Sequence, residues 1–189
     1  MRVASMHALG WSHTIGDPYG KADNTQQLGP SCGVGAQYGA LHASGDRVHL
    51  WQLAKEAYDY GDYVEYKVPG GRLDGGISSV IKMNALLNRH KVESYSVEGA
   101  TLQQLNGAVF SDGDAIVGVR ASPFYKDATI DANSAHAIYL TGAEVDRNGT
   151  VIGYYFNDTG TGEGARYVSS VDFQAAWLHA LVVLHKKTK

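Results

Sequence analysis

The run HAIYLTGAEVDRNGTVIGYYFND, residues 136 to 158, constrains the fold more than any other part of the chain. It joins two strand-like stretches, 136–145 and 151–158, through DRNGT, and Asn-Gly is one of the strongest short-range hairpin signals. The two strands are therefore expected to be antiparallel neighbours. If Asn148 and Gly149 centre the turn, position 136 lies slightly beyond position 158 on the facing strand. A bulge, or a slip of one or two residues, then brings Asp158 or Asn157 beside His136.

Around this hairpin the second half keeps a strand period, with AIVGV at 115–119, ARYVSS at 165–170 and LVVLH at 181–185, the last two separated by a short helix around DFQAAWLHA. The first half has a helical period. Helices are expected over about 32–44, in VHLWQLAKEAYDYG (48–61), in SVIKMNALLNRH (79–90) and in TLQQLNGAVF, where Thr101 serves as cap. VPGGRLDGG, residues 68–76, reads as a loop and VESYSV, residues 92–97, as a strand. Helices first and an antiparallel sheet afterwards make an α+β pattern. Residues 1–21, with Gly10, Gly16, Gly20 and the turn pair Asp17-Pro18, read as an irregular N-terminal extension that can pack over a single domain spanning 22–189.

The chain of 189 residues can bury roughly 70% of its extended surface, enough for a core without staples. A net charge of −3 gives no electrostatic reason to expect nucleic acid, and the short basic tail HKKTK does not change that. No secretory signal is visible, and no window approaches the roughly 18 consecutive apolar residues of a membrane span. The one cysteine excludes an internal disulfide and suits a reducing compartment. No cofactor motif is found. His7, His13 and Asp17 can be drawn as metal ligands, but no HExxH or cysteine pair fixes a geometry, so no metal is expected.

That cysteine, Cys32, lies in GPSCGVGAQYGALHASG, after a rigid Gly29-Pro30-Ser31 turn and in the first turn of a helix that Ser31 can cap. Unpaired amides and the positive end of the helix dipole favour a thiolate there. Glycines at 33, 35 and 39 cost the helix roughly 1 kcal/mol each against alanine, so something close requires bare backbone: a strand packed against it, or a substrate admitted to it. A thiolate also needs an imidazole, and a third group to orient that imidazole. His42 is ten residues further along the same helix, about 15 Å, too far for proton transfer. His90 ends a helix and His185 lies in the tail, and both read as structural or solvated. His136 begins a strand after the polar loop KDATIDANSA, with a firm scaffold below and solvent above. Asp158 is preferred to Asn157 as its orienter, because a carboxylate both fixes the tautomer and stabilises the imidazolium. The backbone N–H of Cys32 and the amide of Gln26 or Gln27 are available for an oxyanion.

Gln26, Cys32, His136 and Asp158, in this order and with five residues between the first two, resemble the papain-like cysteine peptidases. QQLGPSCGVGA, SAHAIYLTGAEVDRNGTVIGYYFND and TGTGEGARYVSSVDFQAAW are most similar to the bacteriocin-processing, double-glycine-cleaving branch. More narrowly, they resemble toxin domains of that fold in interbacterial polymorphic toxin and type VI secretion systems. The resemblance covers about residues 22–180. It implies a helical subdomain carrying the cysteine and an antiparallel sheet carrying the histidine. It also implies Gln26 as oxyanion donor, Cys32 as nucleophile, His136 as base and later acid, and Asp158 as orienter. Cleavage after small residues such as Gly-Gly, a cognate immunity protein, and delivery by a secretion system into a bacterial cytoplasm follow from the same resemblance.

Glutamine deamidases, transglutaminases and peptidoglycan amidases use the same three groups and form the same thioester, so they stand as alternatives, with a non-enzymatic interaction domain as a further one. A lipase is disfavoured by the lack of GxSxG. The glycines of GVGAQYG follow no expected strand and do not make a dinucleotide site.

Overall fold

Strands whose alternate residues are both apolar can be buried on both faces, and the middle strands of this chain have that pattern. Ala115, Val117 and Val119 share one packed cluster with Ile138, Leu140, Leu181 and Val183, while Ile116, Ala137, Tyr139, Val182 and Leu184 belong to a second. A computed structural model describes residues 10–26, 31–67, 73–77, 79–111, 114–121, 125 and 134–185. His7, Gln27, the Gly29-Pro30 turn, most of the 126–135 loop and the tail beyond His185 lie outside the described residues.

The described strands are β1 (Ser12–Gly16), β2 (Tyr63–Lys67), β3 (Leu73–Ile77), β4 (Ser94–Glu98), β5 (Asp114–Arg120), β6 (Ala135–Asp146), β7 (Val151–Asp158), β8 (Glu163–Ser169) and β9 (Trp177–Leu184). The helices are α1 (Cys32–Ala43), α2 (Leu50–Asp59), α3 (Val80–Arg89), α4 (Leu102–Phe110) and α5 (Ser170–Ala176). The main sheet is antiparallel in the order β4-β9-β5-β6-β7-β8, with β1 also on β6. Helices α1, α2 and α3 pack on one face through Val34, Leu41, Leu53, Ala57, Leu86 and Leu87. Helices α4 and α5 cover the other through Leu105, Val109, Phe173 and Ala176. The α+β expectation, with a helical unit carrying the cysteine and an antiparallel sheet carrying the histidine, is the architecture found.

Four local features differ from the sequence expectation. Residues 12–16 are not irregular: β6 is 12 residues long and β5 covers only its first half, so β1 pairs with residues 142–146 along the same edge. Residues 73–77, read as loop, pair with 63–67 in a separate two-stranded hairpin whose glycines hide the strand period. The helix around 172–180 ends at Ala176; Trp177 takes an extended conformation and starts β9, so the apolar run WLHALVVL is strand throughout. Ser31 precedes α1 without a side-chain cap hydrogen bond. Thr101, by contrast, caps α4 as expected, in a reciprocal box with Gln104.

The 136–158 hairpin forms with a wider turn than a bare Asn-Gly pair. Asp146 accepts from the amides of Asn148 and Thr150, both at 2.8 Å, and Gly149 takes the left-handed conformation at φ +78°. Tyr139 faces Asn157 and Ala143 faces Tyr154, with register irregularities between Leu140 and Gly142 and between Glu144 and Val145.

Candidate active site

The start of α1 is brought to the sheet by close approach of its glycines. A Cβ at Gly35 would lie 2.5 Å from Thr159 Cγ2, and one at Gly39 would lie 3.1 Å from the Tyr139 ring. One at Gly33 would lie 3.0 Å from Met83 Cε and 3.1 Å from Ile77. Of the two explanations for bare backbone in this helix, packing is the one observed. The contact at Gly35 matters most, because Thr159 directly follows Asp158 in the chain.

His136 is the second residue of β6, paired with Val119 of β5, and is buried. With Tyr139 opposite Asn157, Asp158 lies diagonally from His136 on the side to which alternation sends both. Nε2 of His136 is 2.9 Å from Asp158 Oδ1. The other ring nitrogen remains for the half-buried Cys32, with which the ring makes a side-chain hydrogen bond. The structure thus brings Cys32, His136 and Asp158 together across 126 residues of sequence, from α1, β6 and β7.

The electrostatics favour an ion pair. Burial works against a charged thiol, yet the His136 ring and the amides of Ala137 and Gly33 outweigh it and hold Cys32 below the usual thiol range. Burial likewise opposes the imidazolium, but hydrogen bonds to Asp158 and Cys32 push His136 up to about 9. Asp158, fully buried, is held below the ordinary carboxylate range against burial by His136, Tyr125 and the Gly160 amide. Each shift favours the charged form of its group, so the surroundings favour thiolate, imidazolium and carboxylate in series over a neutral thiol beside a neutral ring.

Asn157 is turned elsewhere. Its amide donates to Lys21 O at 2.7 Å and its oxygen accepts from Ala165 N at 3.1 Å. It therefore ties the segment before α1 to β8. Lys21 pairs with Asp114, which also accepts from the Tyr139 hydroxyl at 2.5 Å, and Asn24 donates to Glu163 O at 3.0 Å. This strap carries Gln26, which is exposed and lies against Gly162, in the turn that follows Asp158.

Two contacts of the site had not been anticipated. Tyr125 lies after β5 with its amide bonded to Ala121 O at 3.0 Å, and its hydroxyl reaches Asp158 Oδ1 at 2.5 Å and His136 Nε2 at 2.8 Å. Arg166 of β8 donates to Asp158 Oδ2 at 2.5 Å. Extending the hairpin logic to the next strand finds Arg166, since it faces Phe156 and so lies diagonal to Asp158. Tyr125 precedes the polar loop KDATIDANSA, and nothing in the sequence around it distinguishes it.

Three of the other described histidines have partners of their own. His42 joins Asp23 and Val48 O, His90 joins Asp46 and Glu56, and His179 contacts Ala100 O. Among the described residues no group of three or more His, Cys, Asp or Glu is arranged to hold a metal ion. No described helix is long and apolar enough to cross a membrane.

No protein-family model matches the sequence, and no curated protein matches it. Solved structures do. A Bacillus anthracis protein described as a C39-like peptidase superposes with a TM-score of 0.67 at 16% identity, over 94% of this chain and 100% of that one. The chain has the C39-peptidase fold. The peptidase domain of Streptococcus ComA, a bifunctional ABC transporter of a quorum-sensing pathway, gives 0.57 at 14% identity over 88% and 99% of the two chains. A double-glycine-motif protease from an AMS/PCAT transporter, solved with a leader peptide, gives 0.55 at 13% identity over 85% and 88%. At these identities the likeness establishes the C39 fold and nothing finer.

Proposed function

We propose that this chain is a cysteine peptidase that cleaves polypeptides after small residues such as Gly-Gly. The observation that carries the reading is the series of half-buried Cys32, buried His136 and buried Asp158, with the thiol's proton affinity lowered and the imidazole's raised. The Cys32 thiolate attacks the scissile carbonyl carbon. Its oxygen becomes an oxyanion, stabilised by the Cys32 N–H and the Gln26 amide. His136 gives its proton to the leaving amine, and a thioester to Cys32 remains. The neutral ring then takes a proton from water, hydroxide adds to the thioester, and the thiolate leaves. Asp158 fixes the ring through Nε2 throughout. The leader peptide bound by a protein of the same fold supports a peptide as substrate.

We further read the protein as an antibacterial effector with a cognate immunity protein, delivered into a target cytoplasm. This rests on the sequence resemblance of the Cys32 and His136 blocks. Expressed in a bacterial cytoplasm, wild type should arrest growth and Cys32→Ala should not. Mapping new protein N-termini after induction of the two should reveal ends following Gly-Gly with wild type alone. Glutamine-to-glutamate mass changes without new ends would replace the peptidase with a deamidase. Equal profiles would remove the enzymatic reading.

A further inference from the structure

Asp158 accepts more hydrogen bonds than orienting one imidazole requires. Oδ1 receives His136 Nε2 at 2.9 Å, the Tyr125 hydroxyl at 2.5 Å and Gly160 N at 2.9 Å, while Oδ2 receives Arg166 at 2.5 Å. The carboxylate is fully buried, so these contacts are little screened by water. One anion is therefore shared by two cations, the imidazolium on one oxygen and the guanidinium on the other. The Tyr125 oxygen is also 2.8 Å from His136 Nε2. Its O–H is directed to Asp158, so its lone pair faces the Nε2 proton, and both acceptors hold that proton on Nε2.

We propose that Arg166 and Tyr125 are positioning residues for the His136–Asp158 pair. Arg166 keeps Asp158 ionised and limits how strongly its charge binds the imidazolium, and Tyr125 locks the Nε2 edge of the ring. The proposal deepens the peptidase reading and rests on it. Among the described residues the ionisable groups facing the pair are Cys32 from α1, Tyr125 after β5, and Arg166 from β8, the last also 3.4 Å from Glu163. Arg166 is the permanent cation in this set.

The test combines Arg166→Gln, Arg166→Lys and Tyr125→Phe with NMR titration of the His136 ring, which needs no substrate, and with peptidase kinetics. In R166Q the His136 midpoint should rise by about half a unit or more, since a competing cation has been removed. R166K should return it towards wild type. Y125F, which deletes one hydroxyl, should keep KM and lose about tenfold in kcat. An unchanged R166Q midpoint, or equal kinetic losses in R166K and R166Q, overturns the role of Arg166. If R166Q does not fold, R166K and Y125F decide. Y125F with wild-type kcat and unchanged ring nitrogen shifts overturns the locking role. A shifted midpoint in a protein that cleaves no peptide sinks the peptidase reading alone, whereas an unshifted midpoint in an active peptidase sinks the positioning roles alone.

Discussion

Gly35→Ala separates the docking of α1 from the stability of the whole domain. A methyl group there meets Thr159 Cγ2 at 2.5 Å and its Cβ and Oγ1 at 2.8 Å, and Thr159 is 1% exposed, so the helix and the β7 end must part. Overpacking of this kind costs about 1–3 kcal/mol, and replacing a helical glycine with alanine returns about 1 kcal/mol, for a net loss of about 0–2 kcal/mol. For a chain of this size that lowers Tm by at most about 8 °C. Activity should suffer far more. The displaced helix carries Cys32 and the opposing residue adjoins Asp158, and a 1 Å misplacement of reacting groups costs about 100-fold. Gly107→Ala is the control: it lies inside α4 with nothing within 4 Å of the new methyl, so Tm should rise and kcat/KM should not change. Thr159→Ser in the G35A background removes the nearest clashing carbon and should restore part of the rate. Thermal melts beside peptide-cleavage kinetics read both quantities. G35A with wild-type kcat/KM would show that this contact does not position the sulfur.

Three further outcomes are expected. The pH profile of kcat/KM should be a bell whose alkaline limb falls near 9, where His136 loses its proton, and whose acid limb lies below the usual thiol range; stopped-flow or fluorogenic assays between pH 4 and 10 check it. Gln26→Ala should lower kcat by about 10²–10³ while leaving measurable turnover, as for loss of one oxyanion donor; an unchanged kcat would remove Gln26 from the chemistry. Burial opposes charge on His90 but Asp46 and Glu56 hold it protonated, so its folded proton affinity exceeds the unfolded one. Its contribution to stability is therefore full below the unfolded value of about 6.5 and disappears as pH rises through the folded one. The Tm deficit of His90→Gln should be larger at pH 6 than well above the folded value.

Much of this architecture was legible because hydrophobic period and turn chemistry agree. Alternation through HAIYLTGAEV and VIGYYFND, with Asn148-Gly149 between them, fixed an antiparallel pair and left only the choice between Asp158 and Asn157. That choice depends on register irregularities at Leu140/Gly142, which no local pattern encodes. SHTIG escaped because its pairing is dictated by the length of β6 rather than by its own composition. The α1 glycines were visible as a cost, but their reason, the nearness of Thr159 and Tyr139, is tertiary. Tyr125 was hidden for the same reason, since it is identified by the carboxylate it touches, whereas Arg166 follows once the pairing of β7 with β8 is known.

The parts of the site enter the polypeptide in widely spaced order: sulfur at 32, ring at 136, carboxylate at 158. A nascent chain therefore exposes its lone thiol long before anything can ionise it. Such a thiol, with an ordinary pKa of about 8.5, is mostly protonated at neutral pH and a poor nucleophile. Under the proposed mechanism the sulfur needs both distant partners, so a chain ending short of Asp158 should show only the reactivity of an ordinary thiol.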